Sequence, residues 1–459
     1  MNTPRRVSNW SFLGVALVLL GSWSPKALAD DPKPNVLFIM ADDLGYGDLG
    51  CFGQKLIKTP NIDSLAAQGT RFVQAYAGST VCAPSRSALM TGKHTGHAPI
   101  RGNQEVKPEG QVPMPADTFT MAHLFKKAGY ETGLIGKWGL GHPGSVSTPD
   151  KMGFDYFYGY NCQARAHEYY PEYLWKNDQK VMLNGKAYSH DLMAAEALDF
   201  VRRNRDKPFF LDLSFTIPHQ KLQVPDLGPY ANETWPDNLK RLAAMITRMD
   251  SDVGRLMALL DELKIADRTL VFFVSDNGAA YNDDLFHHSG ALRGRKRDMY
   301  EGGVRTPAIL RWPGHVKPGA VSDQVWTFWD MLPTFAELIG VPAPGGIDGV
   351  SVLPAFVEGR KIEHPPLYFE FHERGFDQCA RIGDWKAVRH GLKGPIELYD
   401  LPRDPAEERN VADAHPDVVR RFETYLATAR TDSELWPVRD RVPGKAAQKK
   451  AAAKKAVAQ

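Results

Sequence analysis

Between residues 35 and 275, short apolar runs alternate with longer stretches of helical spacing. The runs 35–40, 131–135, 209–215 and 269–275 place Val, Ile, Leu and Phe on consecutive positions, the pattern of strands covered on both faces. The stretches 61–68, 85–90, 118–128, 190–204 and 239–263 space their apolar residues three and four apart, as an amphipathic helix does, and Asn61 suits a helix cap. This alternation predicts an α/β sandwich: a large mixed, mostly parallel sheet between helices. In such sheets chemistry gathers at the carboxyl ends of the strands. From about Gly345 the texture changes. Runs at 366–371, 379–382, 385–389 and 396–399, separated by turn residues, predict a small antiparallel sheet, followed by a helix over 416–431. The expected organisation is a catalytic domain over 30–344 and a smaller C-terminal α+β subdomain over 345–440.

The two ends change the picture of charge. The chain has 459 residues, 43% of them hydrophobic, and a net charge of +2. Residues 1–29 and 441–459 together carry nine basic and no acidic residues, so 30–440 carries −7. An acidic body gives no electrostatic case for nucleic-acid binding. Arg5 and Arg6, the apolar run 12–20 and Ala27-Leu28-Ala29 read as a signal peptide cut near Ala29. Its apolar run is too short to span a bilayer. A secreted or periplasmic protein with no membrane anchor is expected, with a basic disordered tail over 441–459. The cysteines, Cys51, Cys82, Cys162 and Cys379, have no zinc-ligand spacing and do not make a disulfide scaffold. If one of them is chemical, at most one bridge joins the other three.

Three segments carry candidate chemistry. Gly45-Tyr46-Gly47-Asp48-Leu49-Gly50 is formally G-x-G-x-x-G. Two aspartates separate it from the strand, however, and no helix opens on it, so a dinucleotide site is set aside. Asp42-Asp43 at one strand end and Asp276-Asn277-Gly278 at another bring together three carboxylates and an amide, oxygen donors that suit calcium, or magnesium, better than zinc. The third segment is Cys82-Ala83-Pro84-Ser85-Arg86, continuing to Thr91-Gly92-Lys93.

This third segment resembles the signature of the type I sulfatases of the alkaline phosphatase superfamily, in which the cysteine is oxidised to formylglycine. The resemblance implies an alkaline-phosphatase-like fold and a formylglycine-generating maturation enzyme as partner. It also implies hydrolysis of a sulfate monoester, on a saccharide or an aryl-like small molecule. The chemistry agrees: an aldehyde hydrate offers one hydroxyl to attack sulfur and a second to expel sulfate, which a serine cannot do. The resemblance carries Asp42, Asp43, Cys82, Asp276 and Asn277 onto metal-site positions and Arg86 onto the arginine that steadies the hydrate. Lys137, in Gly136-Lys137-Trp138, and Lys296, in Leu292-Arg293-Gly294-Arg295-Lys296, fall on sulfate-binding lysines. His219 falls on the histidine that protonates the leaving oxygen.

One position departs. The family commonly has a histidine after Lys137-Trp138, whereas this chain has Gly139. His142, His287 and His288 are candidates for the missing base, as is water. Nine aromatics between Phe154 and Trp175, interleaved with Arg165, His167 and Glu168, suit either a core or a sugar-binding wall. Glu370 and His372 are further candidates to close that pocket. Two readings compete with a sulfatase: a phosphonate monoester or phosphodiester hydrolase of the same superfamily, and, if Cys82 stays a thiol, a non-catalytic sulfated-glycan-binding protein. Neither G-x-S-x-G nor H-E-x-x-H occurs, which sets aside serine hydrolases and zincins.

Overall fold

The computed structural model describes residues 33–439; the expected signal peptide and basic tail lie outside the described residues. The strand Asn35–Ala41 is buried along its whole length. Leu37, Ile39 and Ala41 enter one apolar core, while Val36, Phe38 and Met40 enter another on the opposite face. Alternate residues of a strand face opposite sides, so an unbroken apolar run is what a doubly covered strand requires.

Phe209–Ser214 and Thr269–Ser275 flank this strand in parallel, and Glu131–Lys137 and Tyr156–Tyr160 extend the parallel set beyond Phe209–Ser214. Antiparallel neighbours finish both sides: Ala308–Arg311 then Thr70–Phe72 on one, and Tyr173–Lys176 then Gln179–Met182 on the other. With Ala320–Ser322 at the edge, the sheet has ten strands. It is the mixed, mostly parallel sheet expected from the sequence.

Helices Pro60–Gln68, Ser189–Arg203 and Asp237–Glu262 cover one face, sending Leu65, Val201 and Met249 among others into the first core. Met121–Lys127 and Met331–Leu338 cover the other, where the Phe125 ring stacks on Phe210 at 4.2 Å between centroids. The helix expected over 118–128 starts later because Thr120 caps it, accepting from the His123 backbone while the His123 ring accepts from the Thr120 N–H. The helix expected over 85–90 starts earlier, at Cys82. That difference puts position 82 in the first turn.

The smaller sheet runs Leu367–Phe371, Asp377–Ile382, Trp385–His390, Ile396–Asp400, antiparallel throughout. Leu367, Phe369 and Phe371 pack against Tyr76, Val81 and Ala88 of the large domain, while Tyr368 faces the helix Pro416–Thr428 through Phe422 and Leu426. Because Val81 and Ala88 flank or belong to the helix that begins at Cys82, the smaller sheet buttresses that helix. Leu353–Val357 still packs into the large domain's second core, before the small sheet begins.

Candidate active site

The carboxyl ends of the parallel strands converge on one buried cluster. The Asp276 N–H donates to the Ala41 carbonyl at 3.0 Å, carrying the ladder one residue past the strands and setting Asp276 beside the Asp42-Asp43 pair. Asp43 has φ +69°, a left-handed conformation that Asp tolerates better than most residues. In extended chain, neighbouring side chains point apart; this turn brings both carboxylates to one space. Asp42 Oδ1 lies 3.5 Å from Cys82 Sγ, and Asp43 Oδ1 accepts from Lys296 Nζ at 2.6 Å, itself 3.4 Å from the same sulfur.

Cys82 opens the helix Cys82–Thr91 after an extended Val81. Pro84 falls in the first turn, where its missing N–H costs no intrahelical bond. The Ala83 N–H donates to Asn103 Oδ1 at 3.2 Å. Arg86, one turn on from Cys82, donates to Asp276 Oδ2 at 3.0 Å and to the Lys137 carbonyl at 2.9 Å. Lys137, the last residue of its strand, donates through Nζ to Asp42 Oδ2. His219 Nε2 lies 3.3 Å from Asp43 Oδ2, and its ring stacks on His167 with centroids 3.6 Å apart. None of Asp42, Asp43, Cys82, Arg86, Lys137, His219, Asp276, Asn277 and Lys296 is more than 6% exposed.

Three carboxylates thus face three permanent cations in a dry space. Burial by itself raises the Asp42 carboxyl, but Lys137, His219, Arg86 and Lys296 outweigh it and hold Asp42 well below the usual range. Asp43 is lowered in the same way, chiefly by His219 and Lys296 against its burial. For Asp276, burial and the nearby Asp42 charge win, and its carboxyl is pushed up despite Arg86. Burial pushes the Cys82 thiol up to about 12, despite Lys137 and Lys296. An unmodified Cys82 is therefore a protonated, inert thiol at neutral pH.

The donor set fits a hard cation. Ligand atoms of Asp42, Asp43, Cys82 and His219 lie within 4.8 Å of one another. Asn277 donates through Nδ2 to Asp43 Oδ1 at 2.8 Å, while its Oδ1 is buried with no hydrogen-bond partner. A buried carbonyl oxygen left unpaired costs about 1–3 kcal/mol, so it calls for a ligand. A second group, His94, His97 and Asp348, is closed on itself. His94 Nδ1 accepts from the Gly96 N–H, leaving the ring proton on Nε2, which faces Asp348 at 3.7 Å. A protonated nitrogen cannot ligate a metal.

Other sequence candidates fall elsewhere. His142 lies in the loop beyond Lys137, with its Nδ1 3.1 Å from the Pro143 carbonyl. His288 is held between Asp48 Oδ1 at 2.5 Å and Asp283 Oδ2 at 2.7 Å. Burial lowers its pKa, yet the two carboxylates raise it to about 9, so it is a cation rather than a base at neutral pH. Glu370 spends its carboxylate on Arg101, Arg430, Tyr368 and His372, tying the small sheet to the large domain. Arg165 pairs with Glu109 at 3.4 Å and lies over the Tyr173 ring, and Trp175 Nε1 also donates to Glu109. Of the aromatic run, Phe154, Phe157, Tyr158, Tyr160 and Tyr169 are core residues. The glycines at 45 and 47 serve close approach to the 287–290 backbone: an added Cβ at Gly45 would stand 2.2 Å from the His288 carbonyl oxygen. Sequence reasoning missed Asp212, whose buried carboxyl accepts from Ser214 Oγ at 2.7 Å and is pushed up to about 6 by burial. Its signal was an acid in the middle of an apolar strand.

The sulfatase family pattern matches residues 34–341, about two thirds of the chain, and the N-sulphoglucosamine sulphohydrolase C-terminal pattern matches 294–432. The chain belongs to the sulfatase family. It is 33% identical to human N-acetylgalactosamine-6-sulfatase over 82% of this chain and 80% of the relative. It is 31% identical to human arylsulfatase A over 89% of this chain and 90% of the relative. Among solved structures, Ps i-CgsB in complex with k-i-k-neocarrahexaose superposes with a TM-score of 0.79 at 29% identity, covering 92% of this chain and 98% of that one. The sandwich is the alkaline-phosphatase-like fold of these sulfatases, and the sulfatase described here is a sulfuric ester hydrolase. Among the described residues no helix is long and apolar enough to cross a membrane.

Proposed function

We propose that this sulfatase hydrolyses the sulfate monoester of a sulfated saccharide, with formylglycine at position 82 and one calcium as its cofactors. The observation that carries the reading is the convergence of two lysines, an arginine and a histidine on the carboxylates around Cys82, whose thiol is inert as it stands. Oxidised to formylglycine by a maturation enzyme, position 82 supplies a geminal diol, one hydroxyl for attack on sulfur and one to expel sulfate. Asp42, Asp43, Asp276 and Asn277 would hold the calcium, which neutralises sulfate oxygens and lowers the hydroxyl pKa.

The chain's own residues do the rest. The first turn of Cys82–Thr91 offers an anion the helix dipole, since the Ala83 N–H is held by Asn103, the Ser85 N–H by the Val81 carbonyl, and Pro84 has none. Lys137 and Lys296 are point charges placed to meet sulfate oxygens, and Arg86 steadies position 82 from one turn away. His219 has one nitrogen toward Asp43 and the other 2.5 Å from the Gln220 carbonyl, which fixes the ring; protonated on both nitrogens, it would give its Nε2 proton to the leaving oxygen. The saccharide assignment draws on what the relatives act on and on the bound neocarrahexaose of Ps i-CgsB. The implied export signal places the mature enzyme in a secreted or periplasmic space.

Protein made together with a formylglycine-generating enzyme tests this. Peptide mass spectrometry should show aldehyde or hydrate at position 82, and the enzyme should prefer a sulfated saccharide over the matched phosphate or phosphonate ester in kcat/KM. Full activity with an unmodified thiol would remove the mechanism. A preference for the phosphorus ester would move the enzyme to the rival class.

A further inference from the structure

The strand that ends at Lys137 continues through Trp138 to Gly139, whose N–H donates to the Asn161 carbonyl at 3.1 Å. Gly139 has φ +71°. Gln163 fills the space beside it: its Nε2 stands 2.1 Å from where a Cβ at position 139 would lie. Gln163 is 6% exposed, and both of its amide atoms, Nε2 and Oε1, are buried without a hydrogen-bond partner. Its backbone is fixed, with the N–H on Gln111 Oε1 at 3.3 Å and the carbonyl accepting from Ala166 at 3.1 Å. The segment 161–167 ends at His167, stacked on His219, so Gln163 lies in the loop that runs from Asn161, paired with Gly139, to the His219 side of the cluster.

A buried carboxamide with neither donor nor acceptor satisfied adds nothing to folding and is costly without a ligand. Gly139 follows Lys137 by two residues and His167 stacks on His219, so the ligand site nearest in the fold is the cluster of lysines and arginine, which takes an anion carrying oxygen acceptors. We propose that Gln163 is a substrate-binding residue that takes the place of a side chain at position 139, donating from Nε2 to a sulfate oxygen and accepting at Oε1 from a hydroxyl next to the ester. It has no proton to give or take at neutral pH, so it orients the ester and does not act as the release base. This rests on the sulfatase reading of the same site.

The test uses the matured enzyme and Gln163→Ala, Gly139→His and Gly139→His/Gln163→Gly. Inorganic sulfate binding is followed by calorimetry, and KM and kcat by hydrolysis of a sulfated monosaccharide. Gln163→Ala should weaken sulfate binding and raise KM by roughly tenfold, the loss of a hydrogen bond to a charged group. Its melting temperature should fall by no more than the lost packing of the side chain's methylenes explains, because the amide makes no internal bond. Gly139→His alone should collide with Gln163 and lose sulfate binding, and the double variant should recover it. Unchanged sulfate binding in Gln163→Ala, a lowered melting temperature with unchanged KM, or no sulfate binding by the parent enzyme would overturn the proposal. Sulfate binding that responds to Gln163 without ester hydrolysis would instead sink the sulfatase reading and leave the Gln163 site standing.

Discussion

Two clusters of buried charge among the described residues do opposite work. In the active site Asp42, Asp43 and Asp276 face Lys137, Lys296 and Arg86. Where the small sheet meets the large domain, Lys386 reaches Glu301 at 2.9 Å and Glu407 at 3.0 Å. Arg305 adds a second cation to Glu301, and Tyr76 donates to it while accepting from Arg381. By burial and charge count the two look alike. They differ in what they surround, since both hold buried atoms without a hydrogen bond: Asn277 Oδ1 in one, Arg305 Nε in the other. The interdomain cluster joins elements about a hundred residues apart and sits beside the apolar contact of Tyr76, Val304 and Phe369. The active-site cluster surrounds the Cys82 sulfur and includes an amide oxygen with no partner. Neither buried charge nor an unpaired buried atom alone therefore marks function; their convergence on position 82 at the carboxyl ends of the parallel strands does.

Substitutions should separate the two by readout. Cys82→Ala has the largest expected effect, loss of essentially all turnover with folding unchanged, because no other group supplies two geminal hydroxyls. Initial rates with a sulfated monosaccharide and a melting curve on the same sample check it. Asp276→Asn comes next: on the proposed reading the lost carboxylate would hold the cation, and it pairs with Arg86, so metal content should drop below one per chain and kcat by roughly a hundredfold or more. Elemental analysis beside the rate measurement decides it, and retained activity after exhaustive chelation would count against the metal's role.

Lys386→Met should show the opposite split. It leaves Glu301 and Glu407 buried without their shared cation, so stability should fall by about 3–5 kcal/mol in denaturant titration. At temperatures where the variant is folded, kcat/KM should be unchanged. Apart from both clusters, His288 carries a pH signature. Its folded pKa of about 9 exceeds the ordinary 6.5, so its stabilisation is fully present below 6.5 and is lost as pH rises through 9. The stability gap between the parent and His288→Gln should be on the order of 3 kcal/mol at pH 6 and should shrink toward pH 9. A constant gap would show that packing, not the Asp48 and Asp283 charges, sets it.

The same contrast explains what the chain disclosed. The central strands were legible because an apolar run such as 35–41 satisfies one local rule, burial on both faces. The convergence of Asp42, Asp43 and Asp276 was legible because each sits at the end of such a run. The interdomain cluster was silent: Glu301, Lys386 and Glu407 lie on separate elements, and no local pattern joins them. Glu370 misled for a related reason, since its partners Arg101 and Arg430 arrive from distant segments and consume the carboxylate. Gln163 was invisible because its meaning depends on Gly139, a residue without a side chain, held next to it only by the pairing of Glu131–Lys137 with Tyr156–Tyr160.

The smallest expected effect falls on His142, which lies outside both clusters. Its backbone N–H donates to Ser145 Oγ at 3.1 Å and its ring faces the Pro143 carbonyl, contacts that shape a loop. If release of sulfate needed this histidine, His142→Ala would give a fast burst of leaving alcohol followed by slow turnover, because attack and release use different proton transfers. With its ring directed at its own loop, the expected result is no burst and a steady rate within about twofold of the parent, the size of a surface substitution. Stopped-flow release of an activated phenol from its sulfate ester distinguishes the two outcomes. A burst in His142→Ala would bring this loop into the active-site cluster and require it to move during turnover. A burst in neither enzyme would leave release to water or to His167, whose ring is held neutral by burial and the nearby His219 and Lys137.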